Sequence, residues 1–461
     1  MDKNALNFAS LGDDFFSPIE TQTLKNAFLI HKNQALYQKL EIGLDDKTLL
    51  KVASGTAKFQ NSQPIASIYA GHQFGYFVPQ LGDGRSCLIG QANGHELSLK
   101  GAGQTPFSRG ADGRCVLRSS IREYLASIAM HGLGIPTTEA LTLVGSQSEV
   151  YRENIEFGAI VMRTAPSHIR FGNFELFASR GQIVQVKKLA DFVIRHHYPQ
   201  CLGKNKYSDF LVLVIKRTAK MIATWQAQGF EHGVMNTDNM SILGLTIDYG
   251  PFGFLEKYDP KFICNHSDHE GRYAFDQQPG VALWNLSRLA DALNSLISDQ
   301  QIKAALAQYQ GYLVRYYSNL MRTKFGLFTK DENDNQLIGD FLNILYKHKK
   351  DYTNSIRGLS NLQNLAADGH YKTWLKSYQS RIEQDKNINR EALMNQVNPK
   401  FILRNYLAEV AIRKAQNDND YREIGVLFDL LSKPFEQHLS MEKYTSEAPD
   451  WAQDLQVSCS S

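Results

Sequence analysis

The chain has 461 residues, of which 43% are hydrophobic and 21% charged, so it can bury a large core and we expect two or three compact units. Its 50 basic and 47 acidic side chains leave a formal charge of +3, which is too small for the many phosphate contacts that nucleic-acid binding needs. We therefore expect no nucleic-acid partner and look for a local phosphate pocket instead.

Nothing in the sequence indicates export or a membrane. The first 30 residues lack a basic segment followed by an apolar run, and the apolar run 210–215 is too short to span a bilayer. The cysteines form no CxxC pair and no dense framework, which is typical of a reducing compartment. These features predict a cytoplasmic protein.

The region 65–165 is rich in glycine and in short runs typical of strands, with an Asn-Gly turn signal at 93–94. One amphipathic helix interrupts the strands and ends where glycines appear at 132 and 134. The predicted elements are strands at 76–79, 86–89, 96–100, 142–144 and 159–162 and a helix at 121–131.

After about residue 185 the apolar residues recur at three- and four-residue spacing, which predicts a mainly helical region. The polar residues from 446 to 461 form a tail that we expect to be flexible unless other contacts hold it. The predicted helices are 210–228, 283–297, 301–321 and 338–346.

Within the helical region, the segment from His232 to Asn239 is followed nine residues later by Asp248 in the triplet Asp-Tyr-Gly. This is the pattern of a protein-kinase catalytic loop, in which an Asn and a later Asp hold magnesium. The usual base position is occupied by Val234, which accepts no proton, whereas a carboxylate appears at Asp238. The pattern predicts intact metal ligands, Asn239 and Asp248, with altered phosphate chemistry.

The kinase-like loop and the order of the elements predict an α+β, protein-kinase-like two-lobe fold. Residues 1–185 would form an N-terminal extension and a small mixed lobe with the nucleotide-binding loop, and 186–445 a larger helical lobe with the catalytic and metal-binding loop. Residues 446–461 would be the flexible C-terminal tail.

The glycines Gly82 and Gly84, with Arg85, lie between two predicted strands, where backbone N–H groups could approach a polyphosphate and the Arg could bind it. The alternative is an ordinary tight turn with an exposed Arg. Further candidates for phosphate binding are Asp112 and Gly113, followed by Arg114, and the arginines of the segment 162–172, Arg163 and Arg170.

Lys100 ends a predicted strand and Glu123 lies on the next helix, in the order of the kinase strand Lys and its helix Glu partner. Such a pair would hold the Lys ammonium against phosphate oxygens. The alternatives are a solvated charge for Lys100 and a helix cap for Glu123, because Ser120 and Glu123 fit a capping box. Taken singly, these residues leave both interpretations open.

The segment 264–270, Cys-Asn-His-Ser-Asp-His-Glu, contains residue types that bind zinc. The sequence offers no second Cys/His cluster to complete such a site. We therefore interpret it as a polar loop in the position of a kinase activation segment, with His residues that hydrogen-bond locally.

Six segments spread along the chain carry a resemblance to a known family. They are Tyr-Ala-Gly-His-Gln-Phe-Gly at 69–75, 81–85, 99–106, 232–248, 264–273 and the terminal Cys-Ser-Ser. In these segments the chain resembles the selenoprotein O family, called SelO or YdiU in bacteria, a group of protein adenylyltransferases with a pseudokinase fold.

The resemblance implies that ATP binds in the reverse of its kinase orientation, so that AMP is transferred to a protein hydroxyl and pyrophosphate is lost. It implies that Asp238 is the proton acceptor, that Glu123 orients Lys100, and that Asn239 and Asp248 hold Mg²⁺, which Mn²⁺ could replace. The implied nucleotide-binding residues are Gly82, Gly84, Arg85, Lys100, Asp112, Gly113, Arg163, Arg170 and Asp248.

Where other members carry selenocysteine near the C-terminus, this chain has Cys459. The resemblance implies a thiol that could pair with Cys264 beside the active site. In a reducing cytosol such a disulfide would be transient and regulatory.

Three functions therefore compete: transfer of AMP from ATP to Ser, Thr or Tyr of proteins, including the chain itself, transfer of the γ-phosphate, and an inactive ATP-binding scaffold. UMP transfer from UTP is a close variant of the first. Retention of Asn239 and Asp248 favours catalysis over a scaffold, and Val234 at the base position disfavours phosphoryl transfer. The sequence does not identify the modified proteins or the oligomeric state.

Overall fold

The computed structural model describes residues 7–385, 387–452, 455 and 457 and has a mixed α+β architecture. The strands lie mainly in the first third of the chain and the helices mainly in the remainder. The strands are β1 Phe16–Pro18, β2 Phe28–Lys32, β3 Ile65–Gln73, β4 Tyr76–Gly82, β5 Ser86–Ala92, β6 His95–Lys100, β7 Cys115–Val116, β8 Glu139–Tyr151, β9 Ile155–Ala165, β10 Phe230–Glu231 and β11 Gly253–Phe254.

The α-helices pack against the sheet and against one another. They are α1 Gln34–Lys39, α2 Asp46–Ala53, α3 Leu117–Gly132, α4 Phe171–Ser179, α5 Ile183–His197, α6 Lys206–Gln228, α7 Gln278–Ala292, α8 Asp299–Leu306, α9 Tyr309–Lys324, α10 Asp334–Lys347, α11 Tyr352–Gly358, α12 Gln363–Ala367, α13 Lys372–Asp385, α14 Arg390–Asn395, α15 Asn405–Asn417 and α16 Arg422–Ser432. Among the described residues, every helix is too short or too polar to cross a bilayer.

The main sheet is antiparallel, with β1, β3, β5, β6, β9, β8 and β2 side by side in that order. Strand β3 has two uses, because its first residues pair with β1 and β5 and its last residues pair with β4. The hairpin of β3 and β4 therefore extends beyond the main sheet, towards the helical part of the chain.

The predicted strands between 76 and 162 and the helices at 121–131, 210–228 and 338–346 are confirmed, with longer bounds. The helix predicted at 283–297 begins earlier, at Gln278, with Pro279 in its first turn, where the missing N–H is not needed. The single helix predicted at 301–321 was wrong. The chain turns at 307–308 between α8 and α9, which lets both helices pack against α6.

A buried core joins the sheet to the helices. Tyr124 and Leu125 of α3, Phe174 of α4, Trp225 of α6 and Leu286 of α7 belong to one cluster of buried apolar side chains. Helix α3 begins at Leu117 without a side-chain cap, so the capping box that the sequence indicated at Ser120 is wrong. Ser120 and Glu123 lie inside the helix, which frees Glu123 for another partner.

Candidate functional site

The loop that follows β10 is fixed by buried contacts from the surrounding helices. The ring of His232 stacks on Trp225 of α6 with centroids 5.3 Å apart, and its Nε2 lies 2.8 Å from the carbonyl oxygen of Ile247. Asn285 of α7 donates to the carbonyl of Met235 over 2.9 Å. The loop therefore presents its next residues, 237–239, as a short 3-10 helix in a defined position.

Asp238 lies in this short helix and is 94% removed from solvent. Gln73 Nε2 donates to Asp238 Oδ2 over 3.2 Å, whereas Oδ1 is buried without a hydrogen-bond partner among the described residues. Burial raises the pKa of Asp238 to about 6, although Arg170 and Gln73 favour the charged form. A carboxylate with a free oxygen and a pKa near neutrality is suited to accepting a proton.

Gly71 makes room for the Asp238 carboxylate, and Gly172 lets helix α4 approach strand β3 beside it. A Cβ atom added at Gly71 of β3 would lie 2.7 Å from Asp238 Oδ1, and one added at Gly172 of α4 would lie 2.1 Å from the carbonyl oxygen of Ala70. Real Cβ atoms do not approach other atoms so closely. Strand β3 and helix α4 can therefore enclose the carboxylate only because both positions lack a side chain.

Asp248 lies ten residues further on, with a left-handed backbone at φ 57°. Its carboxylate contacts three cations, with Oδ1 3.2 Å from Lys100 Nζ and 2.9 Å from Arg163 Nη1, and Oδ2 2.5 Å from Arg170 Nη1. Burial alone would raise the pKa, but Arg170, Lys100 and Arg163 outweigh it and hold the pKa of Asp248 well below its usual range. This carboxylate is therefore ionised at neutral pH.

The predicted contact between Lys100 and Glu123 is present, with Nζ and Oε2 2.6 Å apart, and both side chains are buried. Arg163 Nη1 contacts the other carboxylate oxygen of Glu123 over 2.9 Å. The alternatives of a solvated Lys100 and a capping Glu123 are thus wrong. Buried charges are costly unless opposite charges compensate them. The carboxylates of Glu123 and Asp248 therefore hold the Lys100 ammonium in place.

A cavity of about 500 Å³ opens between the sheet and the catalytic loop, a volume typical of small-molecule sites. Its wall contains most of the residues that the sequence indicated. Glu123 and Arg163 are not among them, because they lie behind the wall and contact Lys100 and Asp248. The predicted residues that line it are Gly82, Gly84, Arg85, Lys100, Asp112, Gly113, Arg170, Asp238, Asn239 and Asp248.

The turn at residues 82–85 joins β4 to β5, and Arg85 is exposed at the cavity wall. Residues 82–85 therefore form the tight turn with an exposed Arg that one interpretation predicted, and the same turn lines the cavity, as the phosphate-binding interpretation requires. Gly113 has a left-handed backbone, φ 67°, which favours glycine. In addition, a Cβ atom there would lie 2.1 Å from the carbonyl oxygen of Gly103, so no larger residue fits. Asp112 is engaged by Arg152, whose hydrogen bond lowers the pKa of the carboxyl.

Some residues of the cavity wall were not among the sequence-based candidates. Asp83, between the two candidate glycines, is buried, and its Oδ1 lies 3.7 Å from Arg170 Nη2. Gln73 belongs to the segment 69–75 that carries the family resemblance, but nothing in the sequence indicated its contact with Asp238. No sequence pattern indicated a role for Arg152, because its partner Asp112 is 40 residues away along the chain.

The amide group of Asn239 is held by the loop that carries it. Its Nδ2 donates to the carbonyl oxygen of Val234 over 3.0 Å, which leaves the amide oxygen for a cation. Asn239 and the ionised Asp248 line the same cavity, and oxygen donors of this kind suit Mg²⁺ or Mn²⁺. These two side chains therefore fit the predicted metal.

The thiol of Cys264 is buried and lies 2.6 Å from the carbonyl oxygen of Pro251. Burial and the neighbouring Glu231 hold the pKa of this thiol well above its usual range. Its predicted partner, Cys459, lies outside the described residues, although Val457 pairs with Asn265 next to Cys264. No group of three or more His, Cys, Asp or Glu in the described part of the chain is arranged to hold a metal ion.

Replacement of Asp238 by Asn should stabilise the protein above neutral pH. The pKa of Asp238 in the folded chain, about 6, exceeds its ordinary value of 3.8, so wild-type stability falls as the pH rises through this interval. Asn cannot ionise, so we expect the free energy of unfolding of Asp238→Asn to exceed that of wild type by up to about 3 kcal/mol at pH 8.

The gain should shrink as the pH is lowered towards 4. Thermal and urea unfolding of both proteins between pH 4 and pH 8 would measure it. The matched control is Asp13→Asn, at an exposed aspartate, which should follow wild type throughout. Equal stabilities of Asp238→Asn and wild type at pH 8 would contradict the raised pKa.

Comparison with known proteins identifies the family of the chain. A family model described as "Protein adenylyltransferase SelO" matches residues 3–432. Relatives named "Protein nucleotidyltransferase YdiU" include those of Aliivibrio salmonicida, 46% identical over 98% of each chain, and Vibrio cholerae, 47% identical over 98% of each. That of Thioalkalivibrio sulfidiphilus is 50% identical over 88% of each chain. The family predicted from the motifs is confirmed: the chain belongs to the SelO family of protein adenylyltransferases and is an enzyme of the nucleotidyltransferase class.

Proposed function

We propose that this enzyme transfers AMP from ATP to Ser, Thr or Tyr hydroxyls of proteins. The observation that carries the proposal is the pair of carboxylates on one cavity, Asp238 with a pKa of about 6 and a free oxygen, and Asp248 held ionised by three cations. The names of the relatives support protein substrates and nucleotidyl transfer. A cytoplasmic location stays a prediction.

We further propose that the sheet-rich and helical parts correspond to the two lobes of a protein kinase. The arrangement of Lys100 on a strand, Glu123 on the next helix, and Asp248 after the catalytic loop supports this correspondence. The cavity then lies where a kinase binds its nucleotide. The domain limits 185 and 445 stay predictions.

In the reaction, the acceptor oxygen forms a bond to the α-phosphorus of ATP. The bond between that phosphorus and the oxygen that bridges it to the β-phosphorus breaks, and pyrophosphate leaves. Asp238, which lines the cavity, accepts the hydroxyl proton on its carboxylate, and Gln73 holds that carboxylate in place by donating to Oδ2. Lys100 and Arg170 line the cavity as fixed cations and stabilise the phosphate charge as it develops.

Asn239 and Asp248 would hold Mg²⁺ or Mn²⁺, which supplies charge neutralisation to the phosphates when bound. Asp248 also contacts Arg163 and Arg170, so it orders these guanidinium groups. Arg163 reaches Asp248 and Glu123 from behind the wall, which supports a role in positioning them. Its predicted direct contact with the nucleotide stays a prediction.

Val234 lines the cavity at the kinase base position, and this observation disfavours transfer of the γ-phosphate. The unpartnered Asp238 Oδ1 disfavours an inactive scaffold, because burying such an atom costs stability that a scaffold would not need. UMP transfer from UTP stays a prediction.

The position of the label in ATP tests the proposal. We expect radioactivity from ATP labelled at the α-phosphate to enter protein, either the chain itself or a partner, and none from ATP labelled at the γ-phosphate. Gel autoradiography after incubation with Mg²⁺ or Mn²⁺ measures both. Label from the γ-phosphate alone would make the enzyme a kinase, and no label from either with nucleotide binding retained would indicate a scaffold.

Two substitutions separate the roles of the carboxylates. Asp248→Ala should abolish transfer, because it removes a metal ligand and the shared partner of Lys100, Arg163 and Arg170. Asp238→Ala should lower kcat by about 10² to 10⁴-fold and leave ATP affinity largely unchanged, because only the proton acceptor is lost. Transfer rates and binding of a fluorescent ATP analogue check both, and full activity of Asp248→Ala would refute the metal assignment.

A disulfide between Cys264 and Cys459 is proposed as a redox control of this site. The pairing of Val457 with Asn265 supports it, because Cys459 follows Val457 by two residues. After peroxide treatment, peptide mapping without reductant should find the linked peptides, and a Cys459→Ser variant should lack them. If wild type yields only free or over-oxidised thiols, no such control exists.

A further inference from the structure

The hairpin of β3 and β4 reaches the edge of the active site. Its register places Gln73 opposite Tyr76 and His72 opposite Phe77. Side chains of directly opposite residues lie on the same face of a sheet. Because the Gln73 side chain contacts Asp238, Tyr76 lies on the face of the hairpin that adjoins the proposed base.

The hairpin is firmly attached to the catalytic loop. The backbone N–H of His72 donates to Thr237 Oγ1 over 2.7 Å. The N–H of Phe74 in the turn lies 3.2 Å from Asn236 Oδ1 and 3.0 Å from the Tyr273 hydroxyl. Surface groups on the hairpin are therefore held at a fixed position relative to Asp238.

The outer strand of the hairpin exposes large apolar side chains. Tyr76 is 80% exposed and Phe77 is 40% exposed. Within the described residues, β4 pairs with β3 alone, so its other edge is open. Exposed aromatic residues on an unpaired strand are a liability unless they bind a partner.

A cation without an acidic partner lies at the tip of the hairpin. The guanidinium of Arg272 lies against Gly75, where a Cβ atom would be 3.3 Å from it, and 4.8 Å from the centre of the Trp284 ring. Among the described residues Arg272 forms no ion pair, and its Nε is buried without an acceptor. The nearby Arg288, by contrast, pairs with Asp291 over 2.9 Å.

The carboxylate of Asp268, four residues before Arg272, does not compensate the guanidinium. Both oxygens of the Asp268 carboxylate accept backbone N–H groups, from Arg272 over 3.0 Å and from Tyr273 over 2.7 Å. This carboxylate therefore orders the backbone, and the guanidinium keeps its charge for an external group. An extended segment that reached Asp238 along the hairpin would meet two features, an aromatic surface and an unpaired cation.

We propose that Tyr76 and Arg272, together the hairpin surface, bind the substrate segment that carries the acceptor hydroxyl. The proposal rests on the proposed function and specifies its substrate class: extended segments with an apolar side chain and an acidic side chain close to the modified Ser, Thr or Tyr. Arg272 pairs with the acidic side chain, and Tyr76 packs against the apolar one.

The test compares two hairpin variants with matched controls. Tyr76→Ser and Arg272→Gln alter the hairpin surface, whereas Tyr346→Ser and Arg315→Gln alter exposed residues of the same types on α10 and α9. Each full-length protein is given ATP labelled at the α-phosphate and a nucleotide-depleted bacterial protein extract. Circular dichroism and thermal melting establish that each variant is folded.

We expect each hairpin variant to label extract proteins at least about tenfold more slowly than wild type, a loss typical of a contact residue at the centre of a binding surface. The dissociation constant of a fluorescent ATP analogue should stay within about twofold of wild type. Both control variants should label at the wild-type rate. Wild-type rates in folded Tyr76→Ser and Arg272→Gln would overturn the proposal.

Mass spectrometry of the modified sites tests the predicted substrate class. With wild type, Asp and Glu should be enriched next to the modified hydroxyls, and Arg272→Gln should remove this enrichment. An unbiased set of flanking residues with wild type would overturn the role of Arg272. If wild type labels no protein at all, the proposed function itself fails, which is a separate result.

A second copy of the chain is the competing occupant of the hairpin surface. Sedimentation of wild type and Tyr76→Ser distinguishes the two. A dimer that dissociates on the Tyr76→Ser substitution would assign the surface to self-association and overturn the proposal. We expect the two proteins to sediment alike.

Discussion

The structure depends on one buried ion cluster, in which the Asp248 carboxylate meets Lys100, Arg163 and Arg170. Burial of an uncompensated charge is very costly, so each of these cations must be in place when the carboxylate is. Lys100 ends β6, Arg163 lies in β9, and Arg170 precedes α4. Glu123 on α3 completes the cluster. The need to compensate these buried charges therefore fixes β6, β9, α3 and α4 in position around the cavity.

Asp238 and Asp248 lie ten residues apart, and their surroundings shift their pKa values in opposite directions. Asp248 is ionised because three cations surround it, whereas Asp238 is buried with one neutral hydrogen-bond donor and has a pKa of about 6. Two carboxylates with separated pKa values suit two different tasks, proton transfer and charge organisation. The unpaired Oδ1 of Asp238 costs stability, which is expected where a site is built for reaction.

Strand β3 links the parts of the site. Its first residues belong to the main sheet, Gly71 gives space to Asp238, and Gln73 orients that carboxylate. The same strand continues into the hairpin that carries Tyr76 and lies against Arg272. Under the proposed function, the sheet that lines the cavity also presents the hairpin surface to the acceptor, because hydrogen bonds hold the hairpin against the loop that carries Asp238. The proposal places acceptor specificity on that hairpin.

The sequence by itself determined the α+β class, most element positions and the motif carrying Asp238, Asn239 and Asp248, because periodicity and spacing are local properties of the chain. It left open whether Lys100 and Glu123 were a pair, or a solvated charge and a helix cap. It gave no indication of Gln73 beside Asp238, or of Arg152 beside Asp112. Only the tertiary structure decided these contacts, because they join residues that are 23 to 165 positions apart in the sequence. A charged side chain needs a specific partner only once folding has buried it.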